Sequence, residues 1–191
     1  MSPTVLPESS YLARRYTIAT AVAYGEFEAR FEKVVPQAIS VLSVLAACSA
    51  PWATVVKMTA EASTAHGFLI YLKAPVDRIM RIAGHRHRAC SYLIGNHVVA
   101  ERMYRHSPAV MLHSPLRVVL WEEEEGQAML TFDQPAAQFT CFDDPQIAEI
   151  GAEINEQFAE LLTHLQLPVP DSMNEARNWP LPRESASALR T

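Results

Sequence analysis

The segment from Cys90 to Pro135 is the part of this 191-residue chain that most constrains its fold. Short apolar runs rich in β-branched residues alternate in it with turn residues, and one stretch has apolar residues spaced a helical turn apart. Gly95-Asn96 ends the first run, and Glu125-Gly126 provides a tight turn between the last two. The segment therefore predicts strand, helix, strand, turn and strand. The predicted elements are a strand at Cys90–Ile94, a helix at Val98–Arg105 and strands at Leu116–Trp121 and Ala128–Phe132.

The N-terminal half of the chain adds two strands and three helical segments to this prediction. Residues 16–24 alternate large and small side chains and predict a strand. Apolar residues at helical spacing then predict an amphipathic helix from Phe27 to Val35, kinked or restarted at Pro36. The remaining elements are a helix over Pro51–His66, a strand over Gly67–Lys73 that is buried on both faces, and one or two helical turns over Asp77–Gly84.

The helix near the C-terminus has the clearest signals in the chain. After an irregular loop that begins at Pro135, Asp144 can cap the first backbone donors and Pro145 suits the first helical position. Apolar residues then recur every three or four positions as far as Leu165, and small apolar residues widen that face beyond what contact with a sheet requires. We therefore expect a homodimer, with the sheet edge or the Ile147–Leu165 helix in its interface. The alternative is a monomer in which the tail around Trp179 covers the helix.

Length and composition predict a single domain. With 191 residues, 49% of them hydrophobic, the chain is long enough for one sizeable core and too short for two comfortable ones. We expect a lead-in at residues 1–14, one domain at residues 15–167 and an irregular, proline-containing tail at residues 168–191.

Charge and cysteine usage restrict the classes of partner and the compartment. A net charge of -5 argues against a nucleic-acid-binding face and against an anionic membrane partner. The three cysteines match neither a disulfide framework nor a thiolate zinc site, and the N-terminus has no export signal. A soluble, cytoplasmic protein is therefore predicted.

An uncharged stretch from Val34 to Val56 approaches the length of a membrane span. Pro36 and Pro51 interrupt it, and alanine and serine outnumber the large aliphatic residues. A buried helix followed by a break is the favoured interpretation, and a membrane span is the alternative.

Several sequence blocks resemble the bacterial family called domain of unknown function 302. Together with GFLIYLK and FDDPQIAEIG, they extend the resemblance over most of residues 50–168. The order and spacing of the blocks make it specific. The blocks are YLIGNH at Tyr92–His97, AERM at Ala100–Met103, SPAVML at Ser107–Leu112, PLR at Pro115–Arg117 and DQP at Asp133–Pro135.

The resemblance implies a fold and no established activity. The expected fold is α+β, a two-layer sandwich with helices packed on a mostly antiparallel sheet, a mixed sheet being the alternative. Two residues depart from the family pattern: His113 stands where an aromatic residue is expected, and Ala136 stands where a serine is usual. No catalytic residue is implied by the resemblance.

The junction at Gly95, Asn96 and His97 is the most suggestive spot for binding. A strand that ends there and opens a helix leaves backbone donors at a helix N-terminus, where the dipole favours an anion. Either Asn96 satisfies those donors as a cap, or an anionic ligand does. His97 and Glu101 are four residues apart and share a helix face, so both are candidate ligand-binding residues.

Three histidines are candidate metal ligands. His85 and His87 alternate at strand spacing, and His97 follows within a short span. With a carboxylate they could bind zinc or another divalent ion, or one of them could ligate haem. The alternative is a solvated, mildly basic loop, since Arg86 and Arg88 flank His87.

Arg117 and Asp133 begin and end the predicted hairpin, so they could approach each other at its open end. They would form either a structural ion pair or an anion anchor with an adjacent carboxylate. The leading functional hypothesis is a module that binds a small anionic ligand near Asn96, His97 and Arg117. The alternative is an enzyme with His97 or Asp133 as general base.

Overall fold

The fold contains one antiparallel sheet. A computed structural model describes residue 3, residues 10–38 and residues 50–174, and within these residues the strands are β1 Arg15–Ala23, β2 Leu69–Ala74, β3 Ala89–Gly95, β4 Leu116–Glu122 and β5 Gln127–Asp133. Their order across the sheet is β1-β5-β4-β3-β2. Every pairing between these strands is antiparallel.

Helices cover one face of the sheet. The helix α1 contacts β1, β4 and β5, and Phe158 of α6 places its ring centroid 4.4 Å from that of Phe132 on β5. The predicted α+β two-layer sandwich is therefore confirmed. The helices are α1 Tyr24–Val34, α2 Trp52–Ala62, α3 Asp77–Met80, α4 His97–Tyr104, α5 Pro135–Phe139, α6 Pro145–His164 and α7 Asp171–Asn174, with 3₁₀ turns at Arg81–Ala83, Pro108–Leu112 and Thr140–Phe142.

Side chains alternate between the two faces of the sheet, as strand geometry requires. Along β4, Val118 and Leu120 are fully buried against the helices. Arg117 and Val119 point the other way, where Arg117 is exposed and Val119 is half-buried. We call this second side the open face of the sheet.

The elements of the central segment are confirmed to within two residues at each end. The cap predicted for the long helix is also confirmed, because the Asp144 carboxylate accepts from the backbone N–H groups of Gln146 at 2.8 Å and Ile147 at 3.3 Å. Pro145 occupies the first helical position. Gly126 adopts a positive φ of 85° in the turn between β4 and β5, which a residue without Cβ does at no steric cost.

Two predictions about packing are wrong. The strand β2 was expected to be buried on both faces, but it is an edge strand with Leu72 half exposed. In the apolar run of β2, Leu69 and Ile70 are fully buried in the core, whereas Leu72 is not. The predicted loop after Pro135 contains the short helix α5, all of whose residues are buried.

The apolar face of α6 is covered within the chain. Alongside the sheet, α5 packs against α6, and Asn155 of α6 donates to the backbone oxygen of Met173 at 2.8 Å. Met173 lies in α7, so the beginning of the predicted tail is helical and docked. The wide face of α6 therefore gives no reason for a dimer. Trp179 and residues 39–49 lie outside the described residues.

Membrane crossing is not supported by the described helices. None of those within residues 10–38 and 50–174 has both the length and the hydrophobicity to span a bilayer.

The contact between α5 and α6 generates a stability prediction for Gly151→Ala. An added Cβ would lie 3.0 Å from Phe139 Cβ and 3.2 Å from its Cδ2. The resulting overpacking, about 1–3 kcal/mol, should outweigh the helix-propensity gain of about 1 kcal/mol. We expect lower stability in urea denaturation. A stabilised Gly151→Ala protein would contradict the close contact.

Candidate functional site

Asn96 caps α4 and closes its N-terminus. Its side-chain oxygen accepts from the N–H groups of Val98 at 2.9 Å and Val99 at 3.4 Å. Its amide nitrogen donates to the backbone oxygen of Gly67 at 2.9 Å, which ties the helix start to the chain entering β2. The backbone N–H of His97, the remaining donor at this helix N-terminus, donates to the Tyr71 hydroxyl oxygen at 2.9 Å. These first-turn donors are therefore satisfied by the protein itself.

His97 is held between two hydroxyl groups, and the geometry fixes its protons. Thr59 donates its hydroxyl to the Val55 backbone oxygen at 2.7 Å, so it can only accept from His97 Nε2–H at 2.6 Å. His97 Nδ1 then accepts from the Tyr71 hydroxyl at 2.6 Å. Both ring nitrogens are therefore occupied, and this arrangement assigns the proton of the neutral ring to Nε2.

Thr59, Tyr71 and His97 form a hydrogen-bonded triad, and burial favours the neutral forms of its histidine and tyrosine. It lowers the pKa of His97 below its ordinary value of 6.5 and raises the pKa of Tyr71 to about 12. Thr59 is the buried residue of α2. The triad therefore anchors an otherwise exposed helix to β2 and α4, which is a structural role.

The space beside this junction is small. A cavity lined by Asn96, Gly95 and Ser114 has a volume of about 10 Å³. That is room for roughly one water molecule. A metabolite cannot enter it, so an anionic ligand would have to bind elsewhere.

Arg117 and Asp133 lie at the same end of the sheet, but the carboxylate pairs with another residue. Asp133 receives two hydrogen bonds from Arg15, at 2.7 Å and 3.0 Å, across the β1–β5 pair. Val118 pairs with Phe132, and the same register continued by one residue places Arg117 opposite Asp133. The Arg117 side chain is exposed and forms no hydrogen bond or ion pair with the described residues.

The candidate metal ligands do not come together. His85 and His87 are exposed and lie before β3 rather than within a strand, so the predicted alternation does not apply. Glu101 pairs with Arg105 on its own helix at 2.5 Å. In the part of the chain that the structure describes, no three His, Cys, Asp or Glu side chains form a group able to hold a metal ion.

A cluster of charged and phenolic side chains joins α1 to β2 and β3, and the sequence pattern did not predict it. Glu28 pairs with Arg88 at 2.9 Å and with Lys73 at 3.4 Å. The buried Tyr92 donates its hydroxyl to Glu32 at 2.7 Å. Burial and the Glu32 carboxylate raise the pKa of Tyr92. The spacing of four between Glu28 and Glu32 was the available signal, but it is also typical of a solvated helix face.

The two departures from the family pattern occupy packing positions. The ring of His113 lies 5.5 Å from Tyr11, 6.3 Å from Phe139 and 5.9 Å from Phe142, centroid to centroid. Its Nε2 is buried without a hydrogen-bond partner, and burial lowers its pKa. His113 therefore acts as an aromatic ring, and Ala136 is buried in α5.

Comparison with known proteins gives a family and a fold. A family model described as domain of unknown function DUF302 matches residues 45–165. The chain is also similar to the crystal structure of an uncharacterized conserved DUF302 protein from Bacillus stearothermophilus, at 18% identity and a TM-score of 0.56. That alignment covers 79% of this chain and 97% of the other. No curated protein matches the chain.

The triad predicts the effect of Tyr71→Phe. Removing the hydroxyl leaves His97 Nδ1 and the His97 N–H without their partners, at a cost of about 1–3 kcal/mol. Tyr104→Phe is the matched control, because Tyr104 is 48% exposed on the same helix as His97; its effect should stay within about 0.5 kcal/mol. Urea denaturation measures both. Equal effects would contradict the anchoring role.

Three histidines that are wholly or partly buried predict a pH dependence of stability. Burial lowers the pKa values of His66, His97 and His113 below 6.5, so the unfolded chain binds protons more tightly. This stability is full above the unfolded pKa and is lost as the pH falls through the folded pKa values. Tm, measured by circular dichroism, should therefore decrease below pH 6.5. His97→Gln should show a smaller decrease than His85→Gln, and a constant Tm would contradict the assignment.

Proposed function

This chain belongs to the DUF302 family, and from that premise we propose that it is a cytoplasmic binding module that holds the anionic group of a small ligand at Arg117, on the open face of its sheet. The observation that carries the proposal is the state of Arg117, an exposed guanidinium that has no carboxylate partner among the described residues. Guanidinium groups bind carboxylates and phosphates through paired, charge-assisted hydrogen bonds.

The neighbours of Arg117 suit an anion. Arg15 pairs with Asp133 in the strand register, and the β4–β5 register continued by one residue places Arg117 on the other side of Asp133. Because Arg15 already neutralises Asp133 through two hydrogen bonds, Arg117 supplies the uncompensated positive charge. Thr17 and Thr131, bonded to each other at 3.0 Å on the same face, offer hydroxyl groups nearby.

This proposal moves the ligand away from the junction at Asn96 and His97. The donors of α4 are used within the chain, and the adjoining cavity holds about one water molecule. We assign Asn96 and His97 to holding α4 in place, and Glu101 to its pair with Arg105.

Binding is favoured over catalysis by the state of the two candidate bases. A general base needs a lone pair that faces its substrate. His97 Nδ1 accepts from Tyr71, and the Asp133 carboxylate accepts two hydrogen bonds from Arg15. The three histidines likewise form no group that could hold a metal ion within the described residues, so this arrangement does not support a metal site built from all three.

The proposal predicts a ligand-dependent rise in stability that requires Arg117. Thermal unfolding is measured against a panel of probes that includes inorganic phosphate, citrate, phosphomonoesters and nucleotides. A probe at 100 times its dissociation constant should add about 2.7 kcal/mol. The gain should disappear in Arg117→Gln and persist in Arg105→Gln, which removes an exposed arginine elsewhere. No gain with any probe, or a gain that both variants retain, would refute binding at Arg117.

A further inference from the structure

The connection between β2 and β3 exposes an unusual group of apolar side chains. Ile82 is 88% exposed, Ile79 68% and Met80 48%, all within α3 and the 3₁₀ turn that follows it. Single exposed apolar residues are common, whereas an adjacent group rimmed by polar residues marks a contact surface. We call residues 76–86 the apolar loop.

The conformation of the apolar loop is fixed from within. Asp77 is buried and pairs with Arg81, four residues on, and Gly84 closes the turn with a φ of 90°. Ile79 and Ile82 are thereby held facing outward.

The charges of the apolar loop are mostly positive, and two of its three arginines form no ion pair with the described residues. Arg78 and Arg86 are exposed and form no ion pair with the described residues. Asp77, which pairs with Arg81, is the acidic residue between Val76 and Arg86. A complementary surface must therefore combine apolar contact with negative charge.

The same molecule carries such a surface at the same end of its sheet. Ala89 pairs with Trp121, so the end of the loop lies beside the turn between β4 and β5. At this place is a groove of about 540 Å³, lined by Trp121 and by four consecutive glutamates. The groove is lined by His87, Arg88, Ala89, Trp121 and Glu122–Glu125.

We propose that a second copy of this chain is the partner, and that the apolar loop of each copy docks in the acidic groove of the other. A loop and a complementary groove that adjoin on one surface are compatible with a twofold symmetric dimer. The twofold axis places each loop against the groove of the other copy, so the dimer has two identical contacts. The isoleucines meet the Trp121 wall, and Arg78 and Arg86 meet the glutamates. The proposal is independent of ligand binding at Arg117.

The acidic turn also decides between this partner and a lipid surface. An anionic membrane would attract the arginines of the apolar loop. It would also repel Glu124 and Glu125, which are exposed beside that loop. A second copy presents both signs and matches both parts of the surface.

The first experiment measures mass by light scattering and sedimentation at several concentrations. Wild-type protein should have twice the chain mass of 21.3 kDa at tens of micromolar. Ile82→Ser should weaken the dimer about tenfold or more. Leu112→Ser is the matched control, because Leu112 is 81% exposed outside the apolar loop, and it should leave the dimer unchanged. A monomeric wild type, or a dimer indifferent to Ile82→Ser, would overturn the proposal.

Charge reversal tests the reciprocal geometry. One variant carries Arg78→Glu with Arg86→Glu, and the other carries Glu124→Arg with Glu125→Arg. Each alone should be monomeric, because the first variant brings an acidic loop to an acidic groove, whereas the second cancels the charge of the groove and places two arginines opposite a basic loop. An equimolar mixture should form a heterodimer, because the acidic loop of the first variant meets the two new arginines of the second, and the basic loop of the second meets the acidic groove of the first. Circular dichroism confirms that each variant is folded. Failure of the mixture to associate would overturn the reciprocal contact.

A vesicle sedimentation experiment distinguishes the second copy from an anionic membrane as the occupant of this surface. Mixed phosphatidylcholine and phosphatidylglycerol vesicles should not sediment the wild-type protein. Sedimentation that Ile82→Ser abolishes, from a protein that is monomeric in solution, would replace the second copy with an anionic membrane as the occupant.

Discussion

The contact of Phe158 with the helix-facing side of the sheet holds the two layers together. Its ring centroid lies 4.4 Å from that of Phe132 and 5.9 Å from that of Phe68, and all three side chains are almost fully buried. A long helix with one apolar stripe can exclude water from only one face of a sheet, since the strand side chains alternate between the two faces. The surfaces left for recognition are therefore the open face and the strand ends, where Arg117 and the apolar loop lie.

In the helical layer, the polar side chains that look like site residues in the sequence form hydrogen bonds that hold the fold together. A buried donor or acceptor without a partner costs about 1–3 kcal/mol, so a half-buried histidine at a helix start requires neighbours that complete its hydrogen bonds. For His97 these neighbours are Tyr71 and Thr59, 26 and 38 residues away in the chain. The sequence shows the histidine and the cap, whereas the partners depend on how α2 and β2 pack. An open anion site and a closed structural junction therefore have the same local pattern.

The same division between local and distant causes explains which parts of the fold the sequence predicts. The Asp144 cap and the Gly126 turn follow from residues close together in the chain, and both are as expected. The edge position of β2 depends on strand order, and the burial of α5 depends on α6, so neither is visible in a local window. The site is less predictable than the fold because each candidate residue acquires its role from a distant partner, as Asp133 does from Arg15.

Net charge is a weak guide to recognition in this chain because opposite charges are separated on its surface. The total of -5 is a sum over all residues, whereas a partner at contact responds to charges within about one Debye length, roughly 8 Å. At one end of the sheet, the apolar loop, with three arginines and one aspartate, leads into β3 beside the turn that carries Glu122–Glu125, and their opposite charges partly cancel in any total. A uniformly acidic end would repel its own copy. In the proposed dimer, an end divided into a basic apolar part and an acidic groove faces a copy rotated by half a turn, so that proposal depends on the separation of charge and not on its sum.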